Sequence, residues 1–254
     1  MSIRLKSAKD LAGLRESGAI LADVLCELAS AAQTGIRLEE LDRLARAALK
    51  RRKATPTFLN YRPEGANHPY PAALCTSVND QVVHGLPNTY QLRKGDLLKI
   101  DLGVTYKGYI TDSATTVGVG KVSPKARRLM QATREALEAG IAACVPGGHL
   151  GDIGHAVERT ARRAGCRVIR GLTGHGVGFK LHEDPPVPNS GKKGIGMSLP
   201  VGLVIAIEPM LATGSGDTIQ REDESYATAD GSLSAHFEHT IAITEDGCEI
   251  LTAR

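Results

Sequence analysis

Residues 99–117 read KIDLGVTYKGYITDSATTV, a strand-forming stretch broken by two acids, Asp101 and Asp112. Lys107-Gly108 suits the centre of a two-residue turn, which folds the stretch into a hairpin with Tyr106 facing Tyr109 and Asp101 facing Ala114. Side chains alternate with period two, so Asp112 falls on the face of Ala114 and hence of Asp101. The acids become diagonal neighbours, with backbones ~7–8 Å apart and side chains able to converge. Ile100, Leu102, Val104, Tyr106 and Tyr109 share the opposite face and read as core, while Gly103, Thr105 and Ala114 leave space above the acids. Two converging carboxylates stripped of water repel each other; one takes up a proton, or a cation neutralises them. On this segment alone a solvated hairpin face is the more ordinary reading, and the rest of the chain is what shifts it.

The surrounding chain repeats itself. Ser7 followed by Asp10 marks a helix start, and Leu11, Leu14, Ala19, Leu21, Leu25 and Leu28 continue at helical spacing to about Ala32. A second helix is expected from Leu38 to Lys53, with Leu38, Leu41, Ala45 and Leu49 on one face. Ser123-Pro124 opens a third, running to about Cys144, and a fourth spans about 151–164 before Gly165. Asp246-Gly247 signals a late hairpin. TGIRLEELDRLA (34–45) matches GGHLGDIGHAVE (147–158) with a one-residue shift that pairs Leu38 with Leu150, Leu41 with Ile153 and Ala45 with Val157. GDLLKID (95–101) matches GLVIAIE (202–208), so Asp101 and Glu208 hold equivalent positions. Helices followed by strands, twice and without a Pro/Ser-rich linker, predict one domain over 1–254. Two related α+β halves, about 1–122 and 123–254, surround one sheet.

Bulk properties narrow the function. A chain of 254 residues with a formal charge of +3 carries no strong electrostatic footprint for nucleic acid. The basic run at 50–53 (KRRK) is expected to be the solvated end of the second helix. Five cysteines without a CxxC pair favour free thiols over a disulfide framework. No signal-peptide core and no apolar run near ~18 residues occur, so a soluble, cytoplasmic protein with no membrane contact is expected.

Two further acids end or sit within apolar, strand-like runs: Glu208 in VIAIEPML and Glu238 in SLSAHFEHTIAI. Charged side chains are seldom buried without a partner. His175 in LTGHGVGF adds an imidazole inside a glycine-rich strand, though a single histidine in such a place is more often a satisfied loop residue. Four carboxylates are balanced by two divalent cations with room for a bridging hydroxide, and oxygen donors with one imidazole suit Mn, Fe, Co or Zn.

These motifs resemble the type I methionine aminopeptidases, metallopeptidases of the pita-bread fold. The likeness covers nearly the whole chain: KIDLGV, an Asp eleven residues on in YITDSATT, then TGHGVG, LHEDP, AIEPM and SLSAHFEHT. It implies two pseudo-symmetric helix-plus-strand halves around a central, curved, antiparallel-rich sheet. It also implies five metal ligands, Asp101, Asp112, His175, Glu208 and Glu238. Asp112 and Glu238 would bridge both ions, Asp101 would hold one, and His175 with Glu208 the other. His84 in NDQVVHGLP would lie near the substrate amide and His182 in KLHEDP at the scissile carbonyl, with Tyr70 and Cys75 in the side-chain pocket and Leu181 beside it.

By that resemblance the reaction is removal of the initiator methionine from nascent polypeptide N-termini, with a small second residue preferred. A metal-activated bridging hydroxide would attack the first peptide bond, His182 would stabilise the oxyanion, and Glu208 would shuttle the proton. A monomer is implied, and ribosome contact through 50–53 is a further expectation. Two departures stand out: residues 62–69 (RPEGANHP) lengthen the connection between Tyr61 and Tyr70, and the chain has no Trp, which the family often carries near Glu224. Alternative readings are a proline-specific peptidase of the same fold, which usually carries an added N-terminal domain, and a non-catalytic pita-bread binding module, which loses metal ligands.

Overall fold

The structure, a computed structural model, describes residues 3–62, 65 and 67–254. Four helices form where apolar spacing and the start and stop residues predict: α1 (Ala8–Ala31), α2 (Leu38–Arg51), α3 (Pro124–Ala142) and α4 (Leu150–Arg163). Ser7 caps α1 reciprocally, its amide donating to Asp10 at 2.9 Å while its hydroxyl accepts from the Asp10 amide at 3.3 Å. Ser123 accepts from the Ala126 amide to start α3.

α2 and α4 repeat each other residue for residue at their starts. Each follows an extended residue, Arg37 or His149, whose amide donates to an acid three positions on, Glu40 at 2.8 Å or Asp152 at 2.8 Å. Each of those residues also makes an isolated antiparallel bridge, Arg37 to Gln91 and His149 to Ser198. The one-residue shift that pairs Leu38 with Leu150 is therefore the structural register.

Each helix pair covers one half of the strands. Leu21, Leu25 and Leu28 of α1 and Leu41, Ala45 and Leu49 of α2 pack on Ile100, Leu102 and Val104 of strand Leu97–Tyr106. Leu137 of α3 and Ile153 of α4 pack with Ile205, Ile207, Ile241 and Ile243. Burying a large aliphatic side chain contributes about 1.5–3 kcal/mol, so these outward faces anchor the strands and leave their inner faces for chemistry.

All strand pairs among the described residues are antiparallel, but they fall into four hydrogen-bonded groups instead of one continuous ladder. Many strands are only three or four residues long, and register shifts interrupt the pairing at Tyr226/Ala227 and Gly174/Gly176. The hairpin Leu97–Tyr106/Tyr109–Gly118 turns at Lys107-Gly108, both at positive φ (50° and 83°), as a two-residue turn of this kind requires. The late hairpin turns one residue earlier than expected. Thr244 pairs with Gly247, so Glu245-Asp246 make the turn and Gly247, at φ 139°, opens the return strand.

The basic run is the solvated end of α2, as expected. Lys50, Arg51 and Lys53 are exposed and Arg52 is half-buried, while Arg51 and Arg52 also reach Glu27 of α1, at 3.0 and 2.5 Å. All five cysteines are free thiols. Among the described residues no helix is long and apolar enough to cross a membrane.

Candidate metal centre and active site

The hairpin register places Asp101 opposite Ala114 and Gly103 opposite Asp112, so both acids rise from one face. Asp112 repels the charge on Asp101 across this face, so a proton on one of the pair is favoured when no cation is present. The same face carries Lys99, only 1% exposed, so it is not lined by small residues alone. Lys99 Nζ donates to the Asn79 carbonyl at 2.7 Å and the Ser234 carbonyl at 3.2 Å.

Strand Tyr109–Gly118 meets the segment 236–240 through hydroxyls where a ladder would otherwise run. Ser113 Oγ donates to the Glu238 carbonyl and Thr116 Oγ1 to the His236 carbonyl, each at 2.6 Å, and the Glu238 amide donates to the Ala114 carbonyl at 3.0 Å. This seam brings Glu238, from the second half, against Asp112, from the first. Glycines make the remaining approach possible: a Cβ on Gly174 would meet the Ala206 carbonyl at 2.3 Å, and one on Gly176 the Asp184 carbonyl at 2.3 Å. His175 sits between them. Its Nδ1 donates to the Gly176 carbonyl at 2.9 Å, which leaves Nε2 with a lone pair. That Nε2 lies 3.9 Å from Asp112 Oδ2 and 3.7 Å from Glu208 Oε1.

Glu208 turns its other oxygen, Oε2, to His236 Nε2 at 3.3 Å, and His236 Nε2 is 3.9 Å from Glu238 Oε2. Two sets of donor atoms, Asp112–His175–Glu238 and Glu208–His236–Glu238, each gather within 4.8 Å. Burial and the Glu208 charge push Asp112 up to about 8, and burial pushes Glu208 up to about 7. Burial, then the neighbouring Asp112, raises Asp101 and Glu238 well above the usual carboxylate range. Asp101 Oδ1, Asp112 Oδ1 and Glu238 Oε1 are buried without a hydrogen-bond partner. A buried group left so costs about 1–3 kcal/mol, more when charged. Orphaned oxygens and converging acids are what divalent ions would satisfy, so the donor set fits them.

An apolar wall stands beside the acids. Phe58, Cys75 and Leu181 form one buried cluster with Tyr61, Tyr70 and Ile110 packed against it, and Cys75 pairs directly with Asp101. Tyr70 Oη donates to the Gly85 carbonyl at 3.0 Å and meets Phe58 edge-on at 6.4 Å. His182 reaches the cleft from LHEDP, its ring 4.4 Å from that of His175, and its Nδ1 is 2.7 Å from Tyr61 Oη. His84, at φ 60°, sets its ring 5.8 Å from Tyr226. Of the lengthened connection, Pro63, Glu64 and Ala66 lie outside the described residues. Asn67 ties it to Glu224, the amide and Nδ2 both donating to Glu224 Oε1, at 3.0 and 2.7 Å.

The sequence pattern of Metallopeptidase family M24 matches residues 12–245. The methionine aminopeptidase of Aquifex aeolicus is 45% identical over 99% of this chain and 99% of its own. The chain belongs to the methionine aminopeptidases of family M24. This M24 chain therefore has the fold its motifs imply, α+β with two helix-plus-strand halves of the pita-bread type. The crystal structure of methionine aminopeptidase from Thermotoga maritima superposes with a TM-score of 0.95, at 39% identity and full coverage of both chains. The prolidase of Pyrococcus furiosus shares the fold alone, at 22% identity and a TM-score of 0.77, and this chain covers 65% of it. As a member of its family, this chain is a metallo-exopeptidase.

Asp101, Asp112, His175, Glu208 and Glu238 converge on one space, with His182 and the Tyr70–Cys75 wall beside it. Sequence reasoning passed over Lys99 and His236. Both signals were present, since Lys99 stands two residues before Asp101 and His236 two before Glu238, the spacing that puts side chains on one strand face.

Proposed function

We propose that this chain is a dinuclear metal aminopeptidase that removes the initiator methionine of nascent polypeptides, a cytoplasmic task, and prefers a small second residue. One observation carries the reading: four converging carboxylates and His175 open onto the apolar cluster of Phe58, Cys75 and Leu181. Asp101, Asp112, His175, Glu208 and Glu238 would hold the ions, with Mn, Fe, Co and Zn all suited to such donors. When bound, the ions supply Lewis acidity, lowering the pKa of water and polarising a carbonyl.

The chain's own residues do the rest. The apolar cluster takes the unbranched methionine side chain, whose flexibility suits a slender pocket. The carboxylates beside it attract the free terminal amine, which restricts cleavage to the first residue. Tyr61 holds Nδ1 of His182, so the other ring nitrogen is available to stabilise charge on the scissile carbonyl oxygen. His84 handles the amide side of the same bond. The Glu208 side chain is 12% exposed against 2% for Glu238 and 5% for Asp112, which supports Glu208 over these two as the acid that passes a proton to the leaving amine. A bulky second residue would press against the acidic floor, hence the preference for small ones.

Methionine release from Met-Ala-Ser, Met-Lys-Ser and an Xaa-Pro peptide, with chelation and metal add-back, tests this reading. Cleavage of Met-Ala-Ser only, lost on chelation and restored by a divalent ion, is expected. Cleavage of the Xaa-Pro peptide alone would move the chain to the proline-specific reading.

A further inference from the structure

His236 belongs to no part of the chemistry described so far, yet it lies at the centre of it. It closes strand Ser234–His236, pairs with Met210, and has its backbone fixed on both sides by Thr116. The fixed backbone aims the ring at the carboxylates. His236 Nε2 is 3.3 Å from Glu208 Oε2 and 3.9 Å from Glu238 Oε2. Donor atoms that share an ion at roughly 2.0–2.2 Å lie about 3–4 Å from one another, so both separations are those of ligands around a common centre.

A hydrogen-bonding role fits less well. The ring is 1% exposed, and neither Nδ1 nor Nε2 has a hydrogen-bond partner despite the nearby Glu208 oxygen. An imidazole buried with both nitrogens unmatched costs about 1–3 kcal/mol for each polar group left so.

We infer that His236 is a second imidazole ligand of the metal centre, coordinating through Nε2 an ion that Glu208 and Glu238 also hold. The inference rests on the dinuclear reading of the site. Glu208 then stands between two imidazoles, one oxygen turned to each, with His175 at 3.7 Å from Oε1. A second nitrogen donor shifts the set toward borderline ions such as Fe, Co and Zn and away from Mn.

The test counts imidazoles. The full chain, labelled with 15N-histidine and loaded with two equivalents of Co2+, is observed by paramagnetic proton NMR, where each coordinated ring contributes one shifted N–H resonance. Two such resonances are expected in the wild type and one in His236→Gln. Calorimetric titration should also show one Co2+ bound at least about 10-fold more weakly by His236→Gln. One resonance in a wild-type chain that binds two ions overturns the inference and leaves the dinuclear reading standing. Two resonances persisting in His236→Gln overturn it as well. A wild-type chain that binds no Co2+ overturns both. The wild-type count needs no variant to fold.

Discussion

A single hydroxyl, that of Thr240, brackets the backbone of Asp112: it accepts from the Asp112 amide at 2.9 Å and donates to the Asp112 carbonyl at 2.7 Å. It does for two strands from opposite halves what a ladder does within one sheet. Asp112 is thereby held against Glu238 although no continuous pairing joins their strands. Thr240→Val keeps the shape and removes the hydroxyl, leaving a buried amide and a buried carbonyl unmatched. The expected loss is about 1–3 kcal/mol for each group, read as a fall in Tm of several degrees with the weakening of ion binding that misplacement of Asp112 brings. An unchanged Tm would show that the seam does not depend on this residue.

His182 touches Tyr61 and His175 and lines the cleft where the scissile carbonyl is proposed to sit. His182→Ala should lower kcat by about 10²–10³-fold, the effect of removing an oxyanion donor, with KM little changed. Tyr61→Phe, which keeps the ring and loses one neutral hydrogen bond, should cost only several-fold. Steady-state kinetics on Met-Ala-Ser separate the outcomes. A raised KM at constant kcat for His182→Ala would assign the residue to ground-state binding.

The loop that carries His182 is anchored from the far end of the chain. Lys6 Nζ pairs with Glu183 Oε2 at 2.6 Å, the two side chains 2% and 13% exposed, while Glu183 Oε1 accepts from the amides of Phe179 and Lys180. Lys6→Met strands a buried carboxylate, so a loss of about 3–5 kcal/mol is expected. Urea unfolding measures it directly. A change below about 1 kcal/mol would mean that the pair is replaceable by water at that depth.

Ion removal should be visible in stability before it is visible in rate. Two ions, each present at about 100 times its dissociation constant, add roughly 5 kcal/mol together, or about 10–20 °C of Tm for a domain of this size. Chelation should remove that increment and add-back restore it. A Tm indifferent to chelator and to divalent ions would leave the orphaned oxygens of Asp101, Asp112 and Glu238 without their expected partners.

Much of this was readable in the residues because it follows from period and spacing. Turn chemistry at Lys107-Gly108 fixed the register that sets Asp101 opposite Ala114, and apolar spacing in the first two helices, with start and stop residues for the other two, located all four to within a few residues. What escaped depends on contacts between distant segments. Nothing local distinguishes Thr240 as a substitute for strand pairing, or Lys6 as the counter-ion of Glu183 across 177 positions. Division of the strands into four groups also escaped, because short strands and register shifts are settled by how the halves meet. His236 is the instructive case: its spacing from Glu238 was readable, but a lone histidine carries little meaning until the Glu208 carboxylate is seen 3.3 Å away.

The most direct test of the metal centre is anomalous diffraction from crystals of the wild-type chain grown with Mn2+ or Co2+, recorded at the absorption edge of the added ion. Two peaks among the carboxylates of Asp101, Asp112, Glu208 and Glu238 are the expected result. A cleft without a peak at saturating ion, in a chain whose helices and strands are otherwise as described, would contradict it.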